Sequence, residues 1–265
     1  MKNILLLLLF CVLISCKNEK SSNTYSYNLK ASEIIKSFVL DSDVKYNAFY
    51  LYTFSDDKGK EYLTFLNYRT NQILFYDLET TDFLFKLNLN SEGPHGVVQP
   101  TGLYVKDLNH IYVSSYAYSG LMRVDTTCHI IQKIPYGITS KGYNVLPSYT
   151  PSSHPYIAPV IIDKKIYITQ NAIDRFHPIV DTPLSVVIDT VQKSCEDLPL
   201  TYGILTEKEL AIKDPRFSRV FNGKEFIYSF YVSEDIVVTS VDHSEVKKIS
   251  VKSKYLDSPI VKQEV

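Results

Sequence analysis

Residues 62–80 read "YLTFLNYRTNQILFYDLET", and a shift of 48 lays them on residues 110–128, "HIYVSSYAYSGLMRVDTTC". Leu63 then meets Ile111, Tyr68 meets Tyr116, Ile73 meets Leu121 and Asp77 meets Asp125. A third copy opens at "KIYITQN" (165–171) and closes at "SVVIDT" (185–190), with nine extra residues between its middle strands. A fourth, "EFIYSFYVSEDIVVTSVDH" (225–243), reaches Asp242. Self-similarity at a fixed period marks a repeat architecture, in which each unit buries its apolar faces against its neighbours. The repeat decides the fold.

Working outward, the runs inside each copy are short and rich in β-branched and aromatic residues, with 21 tyrosines and 13 phenylalanines in the chain. Three to five polar residues separate them, which reads as antiparallel strands joined by tight turns. A further strand precedes each copy: Ala48–Phe54, Gly102–Lys106, Tyr156–Ile162 and Phe217–Asn222. The last joins its partner through "NGK", a strong hairpin signal. Four strands per unit, recurring every 48 to 60 residues, predict an all-β protein, a β-propeller of four-stranded antiparallel blades. A β-sandwich is the competing all-β architecture, but it does not call for the 48-residue register. With no tryptophan, the WD40 class is excluded. Four blades are visible, fewer than a six-bladed ring needs, and "ASEIIKSFVLD" (31–41) is left as a strand without a partner.

The aspartate that ends each copy follows an apolar strand, where its carboxylate caps a turn. Asp77, Asp125, Asp189 and Asp242 are therefore structural. The stretch "NSEGPHGVVQPT" (90–101) runs from one blade to the next. Its glycines and prolines turn the chain; a phosphate cradle would need a helix after the loop, and a strand follows instead.

Because strands alternate in direction, connections between blades emerge on the same side as those between second and third strands. That side takes the long segments 90–101, 135–155, 172–183 and 200–216, while the opposite side has short turns such as "KDLN", "DKK" and "ETTD". "LTEKELAIKDP" (205–215) adds a short helix with a Thr206/Glu209 capping box. Long loops in compact domains concentrate function. The candidate ligand-binding residues are accordingly Arg69, Glu92, His95, Tyr118, Tyr143, His154, Arg175, His177 and Tyr202. "DRFHP" (174–178) is the densest mixture of charge, ring and imidazole. It reads as an acid–base pair or an anion-binding arginine, or more simply as a solvated loop tip with Phe176 folded back.

No catalytic residue is assigned. There is no GxSxG or HExxH, and Ser244–Lys247 matches a Ser-x-x-Lys pattern without its companion motifs. Of four cysteines, Cys128 and Cys195 remain in the body of the chain without a CxxC pair or clustered histidines, so no metal and no cofactor is expected. A disulfide between them or two buried thiols both fit. With 28 basic and 29 acidic residues and no block of one sign, nothing points to nucleic acid.

The start, "MKNILLLLLFCVLISCKNEK", has a positive residue, an apolar run from Ile4 to Ile14 and a small residue before Cys16. That run is too short to span a bilayer and fits a secretory signal. "LISC" resembles the lipobox of bacterial lipoproteins, which implies cleavage before Cys16 and lipidation of that cysteine. Residues 1–15 are read as signal peptide, 16–30 as a lipidated flexible tether and 31–265 as the propeller. The expected setting is the cell envelope, anchored to a membrane through acylated Cys16, with the outer membrane favoured.

Over roughly residues 45–250, "GPHG…P", "TGLYVKDLNHIYVSSY", "NYRTNQILFYDLE" and "FNGKEFIYSFYVSEDI" resemble the TolB-like six-bladed propeller lipoproteins of Gram-negative bacteria. That group carries no settled activity, so the resemblance implies fold and envelope setting but no catalytic residues. The function expected is a binding module that presents one loop-rich face to a glycan, peptide or protein. An extracytoplasmic hydrolase or lyase, or a scaffold of an envelope complex, are the alternatives.

Overall fold

The computed structural model of the chain describes residues 33, 35–42, 44 and 49–251, apart from 68, 94–95, 116, 137, 143–157, 171–178 and 212–215. The chain divides into two compact units, residues 1–36 and 37–265, and all the strands described lie in the second.

Those strands form four antiparallel sheets, each in simple sequential order, as the blades of a four-bladed propeller. Blade 1 holds β1 (Phe49–Ser55), β2 (Glu61–Asn67), β3 (Gln72–Asp77) and β4 (Phe83–Asn88). Blade 2 holds β5 (Pro100–Asp107), β6 (His110–Ser115), β7 (Tyr118–Val124) and β8 (Ile130–Pro135). Blade 3 holds β9 (Val160–Ile162), β10 (Lys165–Thr169), β11 (Ser185–Asp189) and β12 (Ser194–Asp197). Blade 4 holds β13 (Phe217–Phe221), β14 (Phe226–Phe230), β15 (Asp235–Thr239) and β16 (Val246–Ser250). The expected meander is thus present, with the third innermost strand trimmed to three residues.

Where a blade is covered on both faces its middle strands read as continuous apolar runs, as in β3, buried from Gln72 to Tyr76, whereas in blade 4 burial alternates along β14 and β15. Alternate residues then feed different seams. Leu66, Ile73 and Phe75 pack against Leu103, Ile111 and Val124 of blade 2. Tyr112, Leu121 and Ile134 of blade 2 meet Ile166, Val186 and Ile188 of blade 3. Tyr167 and Leu184 of blade 3 meet Phe217, Phe226 and Tyr228 of blade 4. Rings fill the wide gaps: Phe75 stacks on Phe85 at 4.6 Å and Phe54 on Tyr62 at 4.9 Å. Fully burying one such side chain contributes about 1.5–3 kcal/mol.

The segment expected as an unpartnered strand has no strand conformation in its described residues 33 and 35–41. Phe38 and Val44 instead pack on the outer face of blade 1, over Phe65, Leu74 and Tyr76. Phe38 meets the Tyr76 ring edge-on at 5.8 Å, and Asp41 pairs with Lys86 at 3.0 Å. Burying an aromatic against that face competes with, and here replaces, strand pairing.

The expected turn caps are present. Asp77 Oδ1 accepts from the backbone N–H of Glu79 and Thr80, Asp125 Oδ1 from Thr127 and His129, and Asp189 Oδ1 from Val191 and Gln192. Asp242 Oδ1 accepts from Ser244 N and from the hydroxyls of Ser240 and Ser244. The Thr80 and Glu79 amides and Lys60 hold the Asp77 carboxyl down at about 2, and the Ser240 and Ser244 hydroxyls do the same for Asp242. Ser244 of the Ser-x-x-Lys pattern is thereby a turn residue. Cys128 and Cys195 are free, half-buried thiols, and burial pushes Cys195 up to about 12.

Candidate functional site

The two ends of the blades differ in kind. On one, the turn face, chain reversal takes a few residues, as at 56–60, 108–109 and 163–164. On the other, the loop face, the connections are 89–99, 136–159, 170–184 and 198–216. The predicted helix lies there as α1 (Glu207–Leu210), with Thr206 and Glu209 forming a complete capping box.

Beneath those loops the strand ends form a polar layer. Asn67 and Gln72 are almost fully buried, as are Ser114, Ser115, Thr169, Gln170 and Thr182. A buried polar atom without a partner costs roughly 1–3 kcal/mol, and several side chains of the layer bond to one another. Gln72 Nε2 donates to Asn88 Oδ1 at 3.0 Å, and Thr70 Oγ1 donates to Gln72 Oε1 at 2.8 Å. Thr101 and Ser114 share a hydroxyl contact at 3.0 Å, Ser115 Oγ donates to Val98 O, and Thr139 Oγ1 donates to Asp197 Oδ2 at 2.5 Å. The layer is a floor that carries the loops.

The candidate residues fall into four groups. Arg69, in the β2–β3 turn, and Glu92, in the first long loop, are exposed on the loop face. Tyr118 is half-buried at the start of β7, with Lys133 Nζ 5.7 Å from its ring centroid. Tyr202 is in the core, 2% exposed, edge-on to Phe217 at 6.0 Å and Phe230 at 6.5 Å; its position in a long loop concealed a packing role. His95, Tyr143, His154, Arg175 and His177 lie outside the described residues.

Sequence reasoning passed over a buried polar cluster between blades 3 and 4. Arg219 on β13 is 1% exposed. Its Nη1 donates to Ser185 Oγ at 2.9 Å, and its Nη2 to the carbonyls of Ala158 at 2.8 Å and Tyr167 at 3.0 Å. The guanidinium lies 5.1 Å from the Phe226 ring centroid, and its Nε has no partner. Tyr228, opposite Arg219 in the ladder, contacts Ser185 Oγ at 2.7 Å and His243 Nε2 at 2.5 Å.

The proton positions follow from the acceptors. His243 Nδ1 faces the Val241 carbonyl at 3.1 Å, so it carries the hydrogen. Nε2 of a neutral ring then accepts, Tyr228 donates to it, and Ser185 donates to Tyr228 while accepting from Arg219. Burial, with Arg219 nearby, holds His243 down at about 4, which keeps the ring neutral at pH 7. Serine, hydroxyl relay and imidazole resemble a catalytic set, but Ser185 is 0% exposed, so its role is structural. The signal was in "FSRVF" (217–221), where strand alternation puts Arg219 on the same face as Phe217 and Phe221.

Residues 26–264 match the DUF4221 family, a domain of unknown function, and the chain belongs to that family. It is similar to the crystal structure of a DUF4221 member from Bacteroides vulgatus, at 20% identity and a TM-score of 0.66. That match covers 84% of this chain and 63% of the other, so this chain spans less than two thirds of that protein's length. An exported protein from Bacteroides fragilis is also similar, at 12% identity and a TM-score of 0.44, covering 81% of this chain and 53% of the other. A streptogramin B lyase matches at 14% identity and a TM-score of 0.41, covering 80% of this chain and 72% of the other. No curated protein matches. At 20% identity the likeness to the DUF4221 structure speaks to fold alone.

Proposed function

We propose that this DUF4221 propeller is a membrane-anchored extracytoplasmic binding module that engages a glycan, peptide or protein through its loop face. The observation that carries the reading is the one-sided distribution of connecting chain: 89–99, 136–159, 170–184 and 198–216 all emerge on the same side, over a buried polar layer. A rigid scaffold with variable loops on one rim is the usual arrangement of a recognition surface. The lipobox-like "LISC" ending at Cys16 and the resemblance to TolB-like lipoproteins support the envelope setting.

The test is a glycan and peptide array probed with residues 31–265, followed by titration of the best ligand. Arg175→Ala with His177→Ala is expected to weaken binding at least tenfold, whereas Lys193→Ala on the turn face leaves it unchanged. Equal effects from both faces would overturn the reading. The anchor is tested separately: Cys16→Ala should move the protein from the membrane fraction to the soluble one, and Cys11→Ala should not.

A further inference from the structure

We propose that the outer face of blade 4, the one turned away from blade 3, is a docking surface for residues 252–265 of the same chain, which follow β16 and lie outside the described residues. Register defines the face. Val220 on β13 pairs with Ile227 on β14, Ile227 with Val238 on β15, and Ile236 with Ile249 on β16, so these five β-branched side chains share one side of the sheet. Arg219, Tyr228 and Val237 point the other way and are buried on the side of blade 3. None of the five is buried, and Val220 on the innermost strand is 48% exposed. The middle strands β3, β6 and β10 of the other blades are instead buried along nearly their whole length. Blade 1 has its outer face covered by Phe38 and Val44. Among the described residues, blade 4 has no such cover.

Size argues for a tethered occupant. Four strands of five residues present a face of about 300 Å², against about 800 Å² per partner in a standard stable complex. A segment of the same chain needs no such area, because tethering supplies a high effective concentration. Position argues for residues 252–265. After β4, β8 and β12 the chain crosses the loop face and enters the next innermost strand, whose sheet packs on the blade just left. β16 ends at that same face, with Val251 N donating to Glu234 O at 3.0 Å. From the outermost to the innermost strand is about 14 Å, which about five extended residues span. That brings "SPIVKQE" (258–264) alongside β13, and Pro259 suits the first position of a strand. Ile260 and Val261 alternate in an extended chain, so one of them meets Val220 in either register.

The test is thiol labelling of the full chain carrying Val220→Cys, with the label located by mass spectrometry so that the native thiols do not interfere. The introduced thiol should react about tenfold more slowly than in the same chain stopped after Val251, since a docked segment opens only part of the time. Val191→Cys on the turn face, where the residue is 62% exposed, should react equally in both. Ile260→Asp with Val261→Asp in the full-length chain should release the protection as truncation does, which decides the matter if the shortened chain does not fold. The protection should be unchanged on dilution. Equal rates at Val220→Cys with and without residues 252–265, protection that survives the double aspartate substitution, or protection that fades on dilution, as a second copy would give, would overturn the proposal.

Discussion

Lowering the pH from 7.5 to 5 should destabilise this propeller through one residue, His243. Its ring is buried, donates from Nδ1 to Val241 O and accepts from Tyr228 at Nε2. A proton added at Nε2 would face a phenol whose oxygen already serves Ser185, beside the buried cation of Arg219. The neighbouring groups are Arg219, Tyr228 and Asp242, and Asp242 is turned toward its own serines. The folded value is about 4 against 6.5 for a free imidazole, so the unfolded chain binds the proton more tightly. Stability from this group is complete above pH 6.5 and declines as pH falls toward 4. The difference in proton binding amounts to about 2 kcal/mol between pH 7.5 and 5, and about 3 kcal/mol in full. For a chain of this size that is a fall in Tm of about 4–8 °C. Urea denaturation at stepped pH measures it, with His243→Gln, whose side-chain oxygen still accepts from Tyr228, as the non-titrating control. A variant that loses stability as steeply as the wild type between pH 6.5 and 5 would refute the assignment.

Other outcomes follow from the same geometry. Gly120→Ala should cost about 1–3 kcal/mol in urea denaturation, because its Cβ would collide with the Ile134 carbonyl and come within 2.9 Å of Pro135 Cα on β8. A change within about 0.5 kcal/mol, ordinary for a surface site, would show that β7 and β8 can part. Asp77→Ala should lower Tm at pH 7 and remove part of the acid sensitivity between pH 3.8 and 2, since a depressed carboxylate stabilises above its unfolded value and fails as pH falls to its folded one. Asp125→Ala, which strips the cap from Thr127 and His129, should lower Tm in the same direction, with array binding retained in both. Loss of binding in either would mean that the turn face takes part in recognition.

How much of this was legible depended on whether a residue acts within its own strand or across a seam. The 48-residue register exposed the blades because every unit must repeat the same alternation and the same aspartate turn. The carboxylates of Asp77, Asp125 and Asp189 bond amides two to four residues away, a relation visible in one line of sequence. Phe38 was misread because "SFVL" has strand composition, and nothing local reveals that the face of Tyr76 competes for it. Tyr202 was misread for the converse reason. Its loop is long, but Thr201 accepts from Gly203 N, closing a 3-10 turn that carries the ring into the seam against Phe217.

Arg219 marks the boundary between the two kinds of information. The alternation of "FSRVF" puts a cation on an inward face, and strand period alone suffices to say so. What receives it comes from Ala158, Tyr167 and Ser185, which are 61, 52 and 34 residues away. No local pattern supplies such partners. An inward charge in a repeat protein is thus readable as a question, and its answer is written in the neighbouring blade. Here the neighbouring chain answers with the hydroxyl of Ser185 and the carbonyls of Ala158 and Tyr167.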